Sequence, residues 1–255
     1  MSICIFVVLI VYCFTLLLST MNEDAQVNVY DLLVQMTAFH PLFYLMIPTF
    51  LIIMTVHFSI GEIRNYLMFR YKSKRNWYRK NALMIAQLAA IFTITVAGIM
   101  LIQSLFIFNF ANEWSDYALD HNKYYATFLA NYPPLLYTVV TVILLWFLLF
   151  FLGLLFFLIF LWSRKPILSF MVVFALNLIN IAVTLGDLER LSPFFFTNHI
   201  NIMQYMQQFG LSHQSFPYHI FLYWVLLISI TYFIGLFIVN KLDINIEKGD
   251  ANGSS

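Results

Sequence analysis

The chain has 255 residues, of which 62% are apolar and only 10% are charged. Soluble domains carry about 25% charged residues, so an ordinary water-soluble enzyme is excluded and a protein embedded in lipid is predicted. The formal net charge of +1 gives no indication of nucleic-acid binding. Cys4 and Cys13 lie in one apolar run, too far apart along a helix for a disulfide bridge.

Long apolar segments predict the membrane spans. A spanning helix needs about 20 mostly apolar residues, and charged residues separate six segments of that kind. They cover residues 1–19, 33–60, 82–110, 135–162, 167–185 and 218–240. The sequence therefore predicts an all-α polytopic membrane protein, with six transmembrane helices in a single domain that covers residues 1–255.

The distribution of lysine and arginine predicts the orientation, because positively charged loops stay in the cytoplasm. Eleven of the thirteen follow the second, fourth or sixth span: Arg64, Arg70, Lys72, Lys74, Arg75, Arg79, Lys80, Arg164, Lys165, Lys241 and Lys248. Only Lys123 and Arg190 lie on the other side, where eight acidic residues also lie. We therefore predict that both termini are cytoplasmic and that the protein resides in the plasma membrane.

Prolines mark two kinds of position in these spans. Pro41 and Pro48 lie inside the second span, where each removes a backbone donor. We expect this helix to bend, and neighbouring helices to bond the freed carbonyl groups. Pro134 and Pro166 lie at the first turns of the fourth and fifth spans, where proline is tolerated.

The basic segment after the second span has an amphipathic pattern. Four of its apolar and aromatic residues share one helical face: Ile63, Tyr66, Leu67 and Tyr71. This pattern predicts a short helix parallel to the membrane. Ser73 fits the N-cap of a second helix that continues through Trp77 into the third span. The alternative is a basic loop that only satisfies the charge rule and contacts anionic lipid headgroups.

A second segment, between the fifth and sixth spans, combines apolar residues with helix signals. Ser192 is a suitable N-cap before Pro193, and Gly210 suits the residue that closes a helix. We expect a short external helix that lies at the outer surface or dips into the membrane. Its buried end is predicted to consist of Phe194, Phe195 and Phe196. The alternative, a disordered external loop, is disfavoured by this apolar content.

Signals for catalysis and metal binding are weak. The six histidines show no metal-binding spacing, and neither a GxSxG nor a GxxxxGK[ST] motif occurs. We therefore predict no catalytic, cofactor-binding or metal-ligating residues in this chain. One alternative is an enzyme of the membrane or its surface that uses Asp187, Glu189 and His199. Another is a membrane sensor that binds a peptide without transporting it.

The order of these features resembles the membrane-spanning subunit of type-2 ABC exporters, a mostly bacterial family of six-span permeases. The segment from Glu62 to Tyr71, followed by Ser73, resembles the coupling helix of that family and the turn into its third span. Residues 191–217 resemble its external re-entrant helices. Residues 240–244 resemble the end of its last span.

The resemblance implies a separate cytoplasmic ABC ATPase subunit, which would hold ATP and magnesium. The implied contacts with that subunit are Glu62, Ile63, Arg64, Tyr66, Leu67, Arg70, Tyr71, Ser73, Lys74 and Arg75. It also implies a second permease copy or a paralogue as partner, with membrane lipid around both. The charge-poor, aromatic-rich interior favours a hydrophobic or amphipathic cargo, such as an antimicrobial peptide that is exported or resisted through self-immunity.

Overall fold

The structure is a computed structural model that describes residues 7, 9–11, 13–15, 18, 27–59, 73–108, 110–121, 126–185, 195–209 and 216–241. These residues are almost entirely helical, which confirms the predicted all-α class. The few described residues of the first predicted span, between 7 and 18, are helical as well. The rest of that span lies outside the described residues.

The helices follow one another along the chain with short connections. They are α1 (Val29–Val34), α2 (Phe39–Ser59), α3 (Lys74–Leu105), α4 (Asp116–His121), α5 (Ala126–Asn131), α6 (Pro134–Ser163), α7 (Pro166–Leu185), α8 (Ile202–Phe209) and α9 (His219–Lys241). Within the described ranges, α2, α3, α6, α7 and α9 are the five that are long and apolar enough to cross a membrane. The chain is therefore a multi-pass membrane protein.

Helix α3 begins before the predicted third span and ends sooner. It starts at Lys74 and ends at Leu105, whereas the predicted span was 82–110. The start is set by Ser73, whose Oγ accepts the Asn76 N–H at 3.2 Å and confirms the predicted N-cap. Lysine and arginine favour helix, so the basic residues join the helix. With 32 residues, α3 is about 48 Å long, which exceeds the ~30 Å hydrocarbon core.

Helix α6 is the centre of the bundle. It is apolar around its whole circumference, as expected of a helix with protein on every side. Helices α1, α2, α3, α7 and α9 all pack against it. Leucines along its length are fully buried: Leu144, Leu145, Leu148, Leu149 and Leu152. The other spans are consequently held in place chiefly through α6.

The junction between α6 and α7 is a tight turn. Arg164 has a left-handed backbone with φ 55°, and its N–H donates to the Phe160 carbonyl at 2.8 Å. That conformation ends α6, and Pro166 then begins α7 at the position where the sequence predicts a first turn. Helices α6 and α7 are therefore antiparallel neighbours.

Two glycines allow close contact between spans. Gly153 of α6 faces Ile85 of α3, and Gly235 of α9 faces Tyr78 of α3. The Tyr78 hydroxyl donates to the Tyr232 carbonyl at 2.9 Å, and its ring stacks on that of Phe157 with centroids 5.6 Å apart. Small residues let membrane helices approach closely, and dispersion contacts then hold them together. Tyr78 therefore joins α3 to both α6 and α9.

We expect Gly153→Ala to destabilise the bundle. A Cβ at position 153 would lie 2.5 Å from Cγ2 of Ile85, so α3 and α6 would have to separate. Overpacking of this kind costs about 1–3 kcal/mol. The matched control is Gly98→Ala, because a Cβ at Gly98 meets no atom within 4 Å.

Thermal unfolding in detergent measures both variants. Gly153→Ala should lower the midpoint by several degrees, while Gly98→Ala should leave it unchanged or raise it, since alanine favours helix over glycine. Equal midpoints for the two variants would contradict the assigned contact between α3 and α6.

Candidate functional site

The backbone is irregular where α2 begins. After α1 the chain makes a 3-10 turn at Gln35–Thr37, and Ala38 is extended, with φ −61° and ψ 147°. Helix α2 then contains one π-helical turn, Leu42–Met46, before regular α-helix from Ile47. The irregularity predicted from the two prolines therefore precedes Pro48 along the chain. Turns of π-helix often occur at functional sites.

Pro48 explains a missing hydrogen bond in this π turn. The Ile47 N–H bonds to the Leu42 carbonyl, five residues back. The same register would pair position 48 with the Phe43 carbonyl, but proline has no N–H. Asn177 of α7 supplies the donor instead, with its Nδ2 donating to the Phe43 carbonyl at 3.1 Å. This confirms the prediction that a neighbouring helix bonds a freed carbonyl group.

The surroundings of this hydrogen bond are dry. Asn177 is fully buried, and Phe43 is nearly so. The Phe43 ring also contacts Phe196, with centroids 6.0 Å apart. One residue of α2 therefore contacts both α7 and the segment that precedes α8.

The segment before α9 differs from the single helix predicted from Ser192 to Gly210. Phe195 is extended, with φ −92° and ψ 148°, and a 3-10 turn follows at Phe196–His199. Helix α8 starts only after Asn201, whose Oδ1 accepts the Met203 N–H at 2.9 Å. The continuous helix was therefore wrong, because the side chain of Asn201 caps a new helix within the segment.

The three phenylalanines predicted at the buried end have different outcomes. Phe196 is buried, as predicted, and Phe195 is partly buried. Phe194 lies outside the described residues, together with Ser192, Pro193 and Gly210.

His199 attaches this segment to α9. Its ring stacks on Tyr223 with centroids 3.6 Å apart, and Trp224 Nε1 donates to its carbonyl oxygen at 2.7 Å. Its Nδ1 lies 3.1 Å from the Phe195 carbonyl. Burial lowers the pKa of His199 to about 4, although the Phe195 carbonyl acts in the opposite direction. His199 is therefore neutral at pH 7 and packs as an aromatic residue. Asp187 and Glu189, its partners in the enzyme alternative, lie outside the described residues.

A polar cluster at α1 was not predicted. The Asn28 N–H donates to Asp31 Oδ2 at 2.7 Å, and Asn28 Nδ2 donates to the carbonyls of Ala111 and Glu113. Burial raises the pKa of Asp31, although a hydrogen bond with Ser115 lowers it. Asp31 had been read only as the boundary of the second span. Its spacing of three residues from Asn28, typical of a capping box, is the signal that was missed.

The predicted ATPase contacts are only partly described. Seven of them lie outside the described residues: Glu62, Ile63, Arg64, Tyr66, Leu67, Arg70 and Tyr71. The remaining three, Ser73, Lys74 and Arg75, form the start of α3. Arg75 Nε donates to Asn240 Oδ1 at 3.2 Å, so the start of α3 meets the end of α9.

Charges of opposite sign occupy opposite ends of the bundle. In the described ranges, the bases at the end where α3 starts are Lys74, Arg75, Arg79, Lys80, Arg164, Lys165 and Lys241. The described acids, Asp31, Glu113, Asp116 and Asp120, are all at the other end. We call the first the basic end. If the positive charges face the cytoplasm, the basic end is the inner one, as the sequence predicts.

Comparison with known proteins gives a single type of match. No protein-family model matches the chain, and no solved structure matches it. A protein of Halalkalibacterium halodurans, described as uncharacterized protein BH0177, is 49% identical over 251 residues. The match covers 98% of this chain and 92% of that protein. The similarity therefore includes every span described above.

We expect Asn177→Leu to destabilise the bundle by about 1–2 kcal/mol, because the Phe43 carbonyl loses its donor in a dry environment. In a Pro48→Ala background the loss should be smaller, since alanine restores a backbone N–H at that position. Unfolding of the two single variants and the double variant in detergent measures this coupling.

Asn81→Leu is the control for this cycle. The amide of Asn81 donates to the Trp77 carbonyl in its own helix, at 2.9 Å, so its loss should simply add to the effect of Pro48→Ala. If Asn177→Leu and Pro48→Ala were also additive, the proposed replacement of the proline donor by Asn177 would be wrong.

The pKa of His199 predicts a pH dependence of stability. A free histidine takes up a proton near pH 6.5, whereas folded His199 does so only near pH 4. The unfolded chain therefore binds more protons between these values, and stability should fall as pH falls from about 6.5 to about 4, by up to about 3 kcal/mol. His199→Phe keeps an aromatic ring but cannot be protonated, so its unfolding midpoint should change less over this interval. An unchanged pH profile in the variant would refute the assignment.

Proposed function

We propose that this chain, which belongs to the same family as the uncharacterized protein BH0177 of Halalkalibacterium halodurans, is the membrane-spanning subunit of an ATP-driven ABC exporter. In this proposal it crosses the plasma membrane six times, with residues 1–19 as the first span and both termini in the cytoplasm. A separate cytoplasmic ATPase would hold ATP and magnesium. A second permease copy or paralogue would complete the transport path.

The observation that carries the proposal is the contrast between the two helices that flank residues 60–72. Helix α2 ends at Ser59 and α3 begins at Lys74, so these residues connect two spans at the basic end. Helix α3 is continuous over 32 residues, whereas α2 contains a π turn near its opposite end. A force applied between the two helices would therefore move α3 as a rigid rod and bend α2 at Leu42–Met46.

This contrast supports a mechanism of the rigid-body type. The predicted coupling helix, Glu62 to Tyr71, would dock on the ATPase through its apolar face. The charged Glu62, Arg64 and Arg70 would determine its register. Closure of the ATPase on ATP would shift the inner ends of α2 and α3 and open an outward path. The bond from Asn177 to the Phe43 carbonyl keeps the bending region of α2 satisfied in the membrane.

The composition of the spans supports both the energy source and the cargo class. From residue 81 to 105, and throughout 39–59, 134–163, 166–185 and 219–240, no Asp, Glu, Lys or Arg occurs. A pump driven by protons or ions normally uses such groups inside the membrane, so energy from a partner ATPase is the simpler arrangement. The aromatic content of 19% favours a hydrophobic or amphipathic cargo, such as an antimicrobial peptide.

Affinity purification from the native cells in mild detergent tests this proposal. We expect the wild-type chain to bring an ABC ATPase with it, identified by mass spectrometry and by ATP hydrolysis. Combined replacement of Tyr66, Leu67 and Tyr71 by alanine should reduce the recovered ATPase at least about tenfold, because buried aromatic anchors dominate such contacts.

Tyr218→Ala is the matched control, since Tyr218 is an aromatic residue with 71% exposure at the opposite end of the bundle. This variant should recover the ATPase as the wild type does. Recovery of a stable, folded wild-type chain without any ABC ATPase would reject the exporter function.

A further inference from the structure

The corner where α3 starts and α9 ends carries two positive charges in a defined geometry. Asn240 Oδ1 accepts only the Nε–H of Arg75, at 3.2 Å. No described residue accepts a hydrogen bond from the Nη nitrogens of Arg75. Lys241 follows Asn240 directly, and its Nζ lies 4.3 Å from the centre of the Phe237 ring. Arg75, Asn240 and Lys241 are all exposed. We call these three residues and Phe237 the α3–α9 corner.

No carboxylate in the described part of the chain neutralises this corner. The described acids are all at the opposite end of the bundle. Since α9 has 23 residues, that end is about 34 Å away, well beyond the ~10 Å Debye length at 0.1 M salt. The corner therefore attracts an anion. The Arg75 fork suits the oxygens of a phosphate, and Lys241 supplies a second charge.

An apolar stripe leads from the corner into the membrane. Ile230, Phe233, Ile234 and Phe237 recur every three or four residues on α9, and each is at least 46% exposed. Lys241 lies at the end of the same stripe. The long side chain of a lysine at a membrane helix end places its charge among lipid headgroups while its methylenes cover apolar surface.

From this arrangement we propose that the α3–α9 corner is a binding site for an anionic phospholipid. Its phosphate lies between the Arg75 Nη groups and Lys241 Nζ, and one acyl chain follows the stripe on α9. The continuity of charge and stripe matches a molecule with an anionic head and long apolar chains. An acidic protein surface would match the charges alone. The bound lipid joins the inner ends of α3 and α9, and the site does not depend on an ATPase partner.

Titration of the purified full chain with phosphatidylglycerol, followed by native mass spectrometry, tests this site. Phosphatidylcholine, whose headgroup has no net charge, is the reference lipid. We expect phosphatidylglycerol to bind preferentially and to raise the thermal unfolding midpoint. Arg75→Gln and Lys241→Gln should each weaken phosphatidylglycerol binding at least about fivefold, because each removes one charged hydrogen-bond partner of the phosphate.

Lys165→Gln is the matched control, because it removes one exposed charge from the same end of the bundle, at the junction of α6 and α7. It should change binding less than twofold. Equal weakening in all three variants would overturn the site in favour of diffuse attraction. Size-exclusion chromatography and circular dichroism verify that each variant is folded. Arg75→Lys, which keeps the charge but loses the fork, should bind between the wild type and Arg75→Gln.

Two further probes separate a lipid from other anions. Inorganic phosphate and glycerol 3-phosphate carry the anionic group without acyl chains, and we expect neither to stabilise the protein or to displace the lipid at millimolar concentration. Displacement by either would show that the corner binds free phosphate and would overturn the lipid assignment. Displacement of the lipid by a purified ATPase partner would do the same, since the corner would then be a protein contact.

Discussion

The structure depends on one constraint: inside a membrane, every backbone hydrogen-bonding group needs a partner within the protein. Regular helices meet this constraint, and α2 breaks it at Pro48. The carbonyl of Phe43 would be left without a donor, and the buried amide of Asn177 supplies one at 3.1 Å. Because the donor comes from α7, the local defect becomes a contact between two spans. The π turn of α2 can therefore persist in a dry environment.

The remaining spans are arranged by close packing around α6. Gly153 allows α3 to approach α6, and Gly235 allows α3 to approach α9. The segment before α9 is attached in another way, through the stacking of His199 on Tyr223 and the hydrogen bond from Trp224. Both kinds of contact exclude water and use few formal charges. The bundle is consequently stabilised by shape and by individual hydrogen bonds.

The charged residues that remain have been sorted to the two ends, and the basic end combines two roles in our proposals. Residues 60–72 connect α2 to α3 there, and the exporter proposal assigns them to an ATPase. The α3–α9 corner, on the neighbouring side, is assigned to an anionic lipid. Both assignments follow from one physical fact, which is that positive charges without acidic neighbours attract anionic partners. They concern different residues, so each can fail without the other.

The sequence alone determined the class, the approximate spans and the N-cap at Ser73, because a shortage of charge, apolar length and capping chemistry are local properties. It also indicated that the prolines of α2 would disturb the helix. Only the tertiary structure decided that Asn177 bonds the freed carbonyl, that Asn201 starts a new helix before α9, and that Arg75 meets Asn240. These contacts join residues distant in the chain or select one cap among several, and helix packing decides both. The scarce charges could be counted from the sequence, but which of them meet at one corner depended on the fold.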